Sequence, residues 1–236
     1  MKLASSRKNA MKHVEFGNAG LDKKPYHHGD LRAQLIRSAV DVIREHGVEA
    51  LSLRALARQL GVSHAAPARH FASKDALLNA IIAEGSKTLV AAVSGAFSQP
   101  DLTPRQRLKA FAMSYLQWVL ENPAQSSVMR SPEVTRFVDR AVLDRLNGLM
   151  ALLERAVADA QAEGWRSGEE RQVIVNEIAL TIIGAVTVLN EPVYGTVRAH
   201  LANPTLFEKI IDSILADGRS GTKTAARGRA PQPVQE

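Results

Sequence analysis

The 236-residue sequence predicts an all-α protein, and three observations carry that prediction. Between residues 31 and 215, apolar side chains recur three and four positions apart, the spacing that lines up one face of a helix. No stretch shows the two-residue alternation of a half-buried strand. Residues that stop helices punctuate the pattern at Gly47, Gly61, Pro100 with Pro104, Asn122–Pro123 and Gly164.

Taken in order, residues 1–24 have no apolar period and contain Gly17, Gly20 and several lysines, so they read as a flexible basic arm. Asp30 is a plausible cap for a first helix with the stripe Leu31, Leu35, Ala39, Val42 and Ile43, ending near His46 and Gly47. Ser52 opens a short second helix carrying Leu53, Leu56, Ala57 and Leu60, which Gly61 stops. Val62 plugs the core and Ser63 caps a third helix with His64, Ala65, Ala66, Arg69 and His70. In that helix Pro67 forfeits an amide bond to the Ser63 carbonyl, so a slightly distorted helix is expected. Ser73 caps a fourth helix, Lys74 to about Phe97, with Asp75 in a first turn that favours an acid.

Two short helices, a tight turn and a third helix are the layout of a helix-turn-helix, whose reading helix enters the major groove of DNA. The stretch Tyr26–Leu78 also resembles the N-terminal domain of the tetracycline-repressor (TetR) family. The likeness rests on HHGDLRAQLIRSAVDVIREHG, on Ser52, on GVS at the turn, on RHF and on SKDALL. It implies a dimeric, all-helical regulator that binds a near-palindromic double-stranded DNA operator and answers to an unidentified small molecule. One position departs from the pattern: Ala68 stands where the family usually has an aromatic residue against phosphate.

Within this frame His64, Ala65, Ala66 and Arg54 are candidates for base contact, through an imidazole, methyl groups against thymine and a guanidinium fork suited to guanine. His28, Ser52, Ser63, His70 and Lys74 are candidates for phosphate, and Arg69 for either.

Past Pro104 the helical period continues. Leu108, Phe111, Ala112, Tyr115 and Val119 mark one helix, followed by a short one to Met129 and by a long amphipathic helix over Val134–Glu163. Glu169–Leu189 and Leu206–Leu215 supply two more. Phe111, Tyr115, Trp118, Met129, Phe137, Met150 and Trp165 are candidates for lining an apolar effector pocket, and each could equally be core. Asn190, Glu191 and Tyr194 are polar candidates beside it. The resemblance implies that the last two long helices pair with those of a second copy as a four-helix bundle. The expected domains are an arm over 1–24, a DNA-binding domain over 25–78, an effector and dimerisation domain over 79–216, and a disordered tail over 217–236.

Composition narrows the function. Residues 1–84 carry 13 Lys/Arg against 8 Asp/Glu, net +5, whereas residues 85–216 carry 13 against 14, net −1. A basic third joined to a neutral remainder suits a phosphate-binding unit attached to a different one. There is no cysteine, which excludes disulfides and thiolate chemistry and suits the cytoplasm. Neither a phosphate loop, a GxSxG elbow, an HExxH pair nor a dinucleotide fingerprint is present. Catalytic residues, metal ligands and cofactors are therefore not expected. The apolar run Ile178–Leu189 has 12 residues, short for a bilayer span, and reads as a buried helix. The rival reading is a sequence-tolerant architectural DNA-binding protein, favoured by the basic arm, the basic tail and Ala68.

Overall fold

A computed structural model describes residues 31–190 and 203–216. Among them every regular element is helical: α1 Leu31–His46, α2 Leu53–Gln59, α3 Lys74–Phe97, α4 Pro104–Glu121, α5 Pro123–Met129, α6 Arg140–Ala162, α7 Arg171–Asn190 and α8 Pro204–Leu215. Short 3-10 turns lie at Val48–Ala50, Pro67–Arg69 and Val134–Arg136. The expected all-α class therefore holds. The arm, His28, Glu191 and Tyr194, the Asn190 side chain and the tail fall outside the described residues.

Local chemistry sets most boundaries. Thr103 and Gln106 form a reciprocal capping box at the start of α4, and the Ser73 hydroxyl accepts from the Ala76 amide at 3.1 Å to start α3. Gly164 ends the α6 corner at φ +94°, a conformation open to glycine at no steric cost. One expected boundary moves. The long helix over Val134–Glu163 is broken at its start, because Asp139 caps α6 by accepting from the Val142 amide at 2.8 Å. Residues Val134–Arg136 form their own 3-10 turn before that cap.

Two hydrophobic clusters organise the molecule. The head cluster gathers Leu35, Ile43, Leu56, Phe71 and α3 as far as Ile82, and also recruits Ala124 and Val128 of α5, Phe137, and Val142 of α6. The body cluster runs from Leu89 through α4, α6, α7 and α8. Met129 and Leu146 touch both, so the head is docked on the body by packed side chains rather than hung on one helix.

Among the described residues, two helices are long and apolar enough to cross a membrane, α3 and Arg171–Leu189 of α7. Half of the α3 window is buried against the molecule itself, but only 28 % of the α7 window is. Ile174, Val175, Ile178, Ile182 and Val186 face inward on α7, while Val173, Leu180 and Ile183 are exposed, Leu180 by 66 %. The expectation of a buried helix therefore holds for one face only.

Candidate nucleic-acid interface and ligand recess

The turn after α2 is built by one glycine. The Val62 amide donates to the Ala57 carbonyl at 3.0 Å and the Gly61 amide to Arg58 at 3.2 Å, with Gly61 at φ +67°. This is the paired closure of a Schellman motif. Val62 then packs against the head cluster, which fixes the direction in which the following residues leave.

Those residues do not form the expected α-helix. His64–Ala66 make a turn and Pro67–Arg69 a 3-10 turn. The Ala66, Arg69 and His70 amides each reach back three residues, to Ser63, Ala66 and Pro67, at 3.0, 3.2 and 2.9 Å. The cause is Pro67. It has no amide to give Ser63, and its ring is buried, so the coil tightens around it. Phe71, 3 % exposed, anchors the segment from below, with the Arg32 guanidinium 5.2 Å over its ring.

The predicted contact residues divide by placement. Ser52, Arg54, Ser63, His64, Ala65, Arg69 and His70 are exposed, and Lys74 is half-buried in the first turn of α3. Ala66 is half-buried and packed on the head cluster, while it still borders the concavity shared with Ser63, Arg69 and His70. Both expected serine caps before the turn are absent. Ser52 stands at the α2 N-cap position without a side-chain bond, and the 3-10 turn begins after Ala66, not after Ser63. Both hydroxyls therefore lie on the exposed face, where they are available to a partner. Leu31, Gly61, Val62, Ser63, Ala66, Arg69 and His70 border a concavity of about 470 Å3. Arg58, one helical turn after Arg54, is exposed in the last turn of α2. The sequence reading missed it because an arginine on a helix surface carries no distinguishing pattern.

In the body, an apolar recess of about 190 Å3 lies among α4, α6 and α7, lined by Phe111, Tyr115, Leu146, Leu149, Met150, Leu153, Ala179, Ile182 and Ile183. Of the seven predicted pocket residues, Phe111, Tyr115 and Met150 line it and four do not. Trp118 is buried with its indole N–H donating to the Thr88 hydroxyl at 3.0 Å. Met129 bridges the two clusters, and Phe137 belongs to the head. Trp165 packs at the α6–α7 corner under Arg166, whose guanidinium is 5.4 Å from its ring. Aromatic size pointed to the wrong residues there, since large rings also make core. The aliphatic stripe of α6 was visible in the sequence, but nothing distinguished lining from core. Burial pushes the Tyr115 phenol above its ordinary range, against a smaller opposing pull from Arg130.

The recess and the head share α6. Near its start, Asn79 of α3 donates to Asp139 Oδ2 at 3.0 Å and accepts from the Asp139 amide at 3.1 Å. Further along, Arg145 Nε donates to the buried Ser86 hydroxyl of α3 at 2.9 Å. The Asn79 bond, followed by the Val142 amide, holds the Asp139 carboxyl below its usual range. Among the described residues, no group of three or more His, Asp or Glu could hold a metal ion.

Fold and site thus define an all-helical protein with an N-terminal helix-turn-helix head on a helical body. The sequence profile of the tetR family of bacterial regulatory proteins matches residues 35–81, and the chain belongs to that family. It is similar, at 29 % identity over 147 residues, to an HTH-type transcriptional regulator of Mycobacterium bovis. That match covers 60 % of this chain and 62 % of the relative, so it spans less than two thirds of the relative's length. A solved structure of a protein of unknown function from Rhodococcus sp. RHA1 is 30 % identical, with a TM-score of 0.66, covering 82 % of this chain and 97 % of that one. A second, a tetR-family regulatory protein from Rhodococcus RHA1, shares the fold at 20 % identity and a TM-score of 0.62, covering 78 % and 94 %.

Proposed function

We propose that this chain is a homodimeric, ligand-responsive DNA-binding transcriptional regulator, a repressor released from a near-palindromic operator by a small apolar effector. The observation that carries this reading is the exposed polar segment His64–His70, presented by a glycine-built turn and backed by a buried Pro67 and Phe71. His64, Ala65 and Arg54 would meet base edges. Ser52, Ser63, His70 and Lys74 would hold phosphates, and Arg69 either. The units in this reading are a head over 25–78 that reads DNA and a body over 79–216 that takes the effector and dimerises.

Dimerisation is supported by the exposed apolar face of α7, because a helix that turns Val173, Leu180 and Ile183 outward loses exposed apolar area against a like face. Two copies would place their reading segments about 34–36 Å apart or at a multiple. An effector filling the recess would displace α6, and with it the α3 helix that Asp139 and Arg145 grip. That movement alters the spacing of the two heads and favours the unbound state.

The direct test is fluorescence anisotropy of the purified protein with DNA flanking its own gene and with scrambled DNA, across a salt series. A preference of roughly 10³ or more at physiological salt supports the regulator. Equal affinities would favour the second reading, an architectural binder, for which the irregular reading segment and Ala68 are the supporting observations. Lys74→Ala should weaken binding to all sequences, whereas His64→Ala should change which sequence is preferred.

A further inference from the structure

The walls of the body recess restrict what can fill it. Of the nine residues around it, eight offer only hydrocarbon or thioether surface, and none is charged. Phe111, Leu149, Leu153 and Ile182 are buried, whereas Met150 of α6 and Ile183 of α7 are exposed and mark the mouth. The ninth residue, Tyr115, is half-buried, and among the described residues its hydroxyl has no hydrogen-bond partner. A phenol placed so keeps its proton at neutral pH and has both a donor and a lone pair to offer.

Size sets a second limit. An apolar cavity of about 150 Å3 holds benzene, and this recess has about 190 Å3. Its contents are therefore one ring with short substituents, about eight to ten non-hydrogen atoms.

We propose that the recess takes an uncharged molecule of that size, a single ring with an apolar substituent and one hydrogen-bonding oxygen that docks on the Tyr115 hydroxyl. The proposal rests on the effector reading and gives that effector a chemical class. Phe111 lies one helical turn before Tyr115 on α4, so the wall that offers the hydroxyl also offers an aromatic face for the ring. The same wall selects against ions. A carboxylate or an ammonium entering the recess gives up its water and meets no opposite charge in the lining. Arg130 pulls on the phenol without lining the recess, so an acid is the class that would compete.

The test titrates the full-length protein with four probes of one shape, followed by ligand-observed nuclear magnetic resonance: 4-ethylbenzyl alcohol, 4-ethylbenzoate, 4-ethylbenzylamine and, up to its solubility, 1,4-diethylbenzene. The alcohol should bind at least tenfold more tightly than either ion. Tyr115→Phe should weaken the alcohol about fivefold relative to diethylbenzene, the loss of one neutral hydrogen bond. Ala179→Phe, which fills the recess, should abolish binding of both, with circular dichroism confirming the fold; if that variant does not fold, the Tyr115→Phe comparison decides alone. A benzoate that binds more tightly than the alcohol overturns the proposal. So does an alcohol indifferent to Tyr115→Phe, or one that does not bind at millimolar concentration. Anisotropy on a duplex from the protein's own promoter separates this proposal from the reading beneath it. An alcohol that binds through Tyr115 and leaves the DNA complex intact upholds the ligand class and overturns the effector reading. Release of DNA by the benzoate alone keeps the effector reading and overturns the class.

Discussion

The head and the body solve the same problem, a helical core with a working surface, in opposite ways. The head buries Leu35, Leu56, Phe71 and even Pro67, and turns Ser52, Ser63, His64, Arg69 and His70 outward. The body buries Leu153, Ile174 and Ile178 but leaves Val173, Leu180, Ile183 and Met150 exposed. An outward polar face is at equilibrium with water and is used when a charged partner arrives. An outward apolar face is a deficit that a partner repairs. Function in the head therefore depends on where individual polar atoms point, and in the body on which apolar surfaces find cover.

The largest expected effect follows from the body's surface. Leu180→Arg places a charge at the centre of the exposed α7 face, and under the dimer reading sedimentation velocity should find a monomer with DNA affinity reduced by tenfold or more. An unchanged dimer would remove α7 from the interface. Next comes the α6–α7 corner. Arg166, at φ +48° with a side chain only 7 % exposed, donates to both oxygens of Glu169 at 2.8 and 2.5 Å and to Glu177 at 2.7 Å. Arg166→Met strands two carboxylates that are each 27 % exposed. Discounted for that exposure, the loss in denaturant-measured stability should be about 2–3 kcal/mol. Adding Glu169→Gln and Glu177→Gln should recover part of it; no recovery would mean that the arginine acts through packing on Trp165 instead.

A smaller pair of substitutions tests the head alone. Ser73 caps α3 with a hydrogen bond, whereas Ser52 stands at the α2 N-cap position without one. Ser73→Ala should cost about 1 kcal/mol of stability, and Ser52→Ala close to nothing. On DNA the order should reverse, with Ser52→Ala weakening binding through a lost phosphate contact. If thermal unfolding finds the two equally destabilised, the Ser52 hydroxyl caps α2 in solution.

What could be read in the sequence follows the same division. The span of α3, the stop at Gly61 and the stripes of α1 and α6 were legible because capping, glycine conformations and a 3.6-residue period are local properties. The reading segment was half legible. Pro67 announced a lost bond, but whether one lost bond bends a helix or converts it to a 3-10 turn depends on the ring being buried, which is a tertiary fact. The Val134–Glu163 boundary failed for a related reason: Asp139 caps α6 while also pairing with Asn79, sixty residues away. Only three of the seven pocket residues line the recess, because Trp118 and Trp165 look like lining by size and are core by position. An outward apolar face was implied by the expected pairing of the last two long helices with a second copy, but which residues of α7 form it was not legible, because an apolar run does not say which side its neighbours occupy.

Tyr115 offers the finest test of the body, because it lines the recess and titrates. Desolvation raises its pKa above the ordinary 10.0, so the folded state holds that proton more tightly than the unfolded chain does. The sign follows by linkage: the contribution is intact below pH 10 and is lost as the pH climbs through the raised value. Tyr115→Phe removes this titration, so between pH 9.5 and 11, values chosen as roughly bracketing a phenol, the variant's melting temperature should fall less steeply than the parent's. Filling the recess with an apolar ligand should deepen the phenol's burial and move its ultraviolet titration midpoint further up. A midpoint that drops instead would mean that the ligand brings a cation, or frees Arg130 to face the phenol, and the recess would then be a polar site rather than an apolar one.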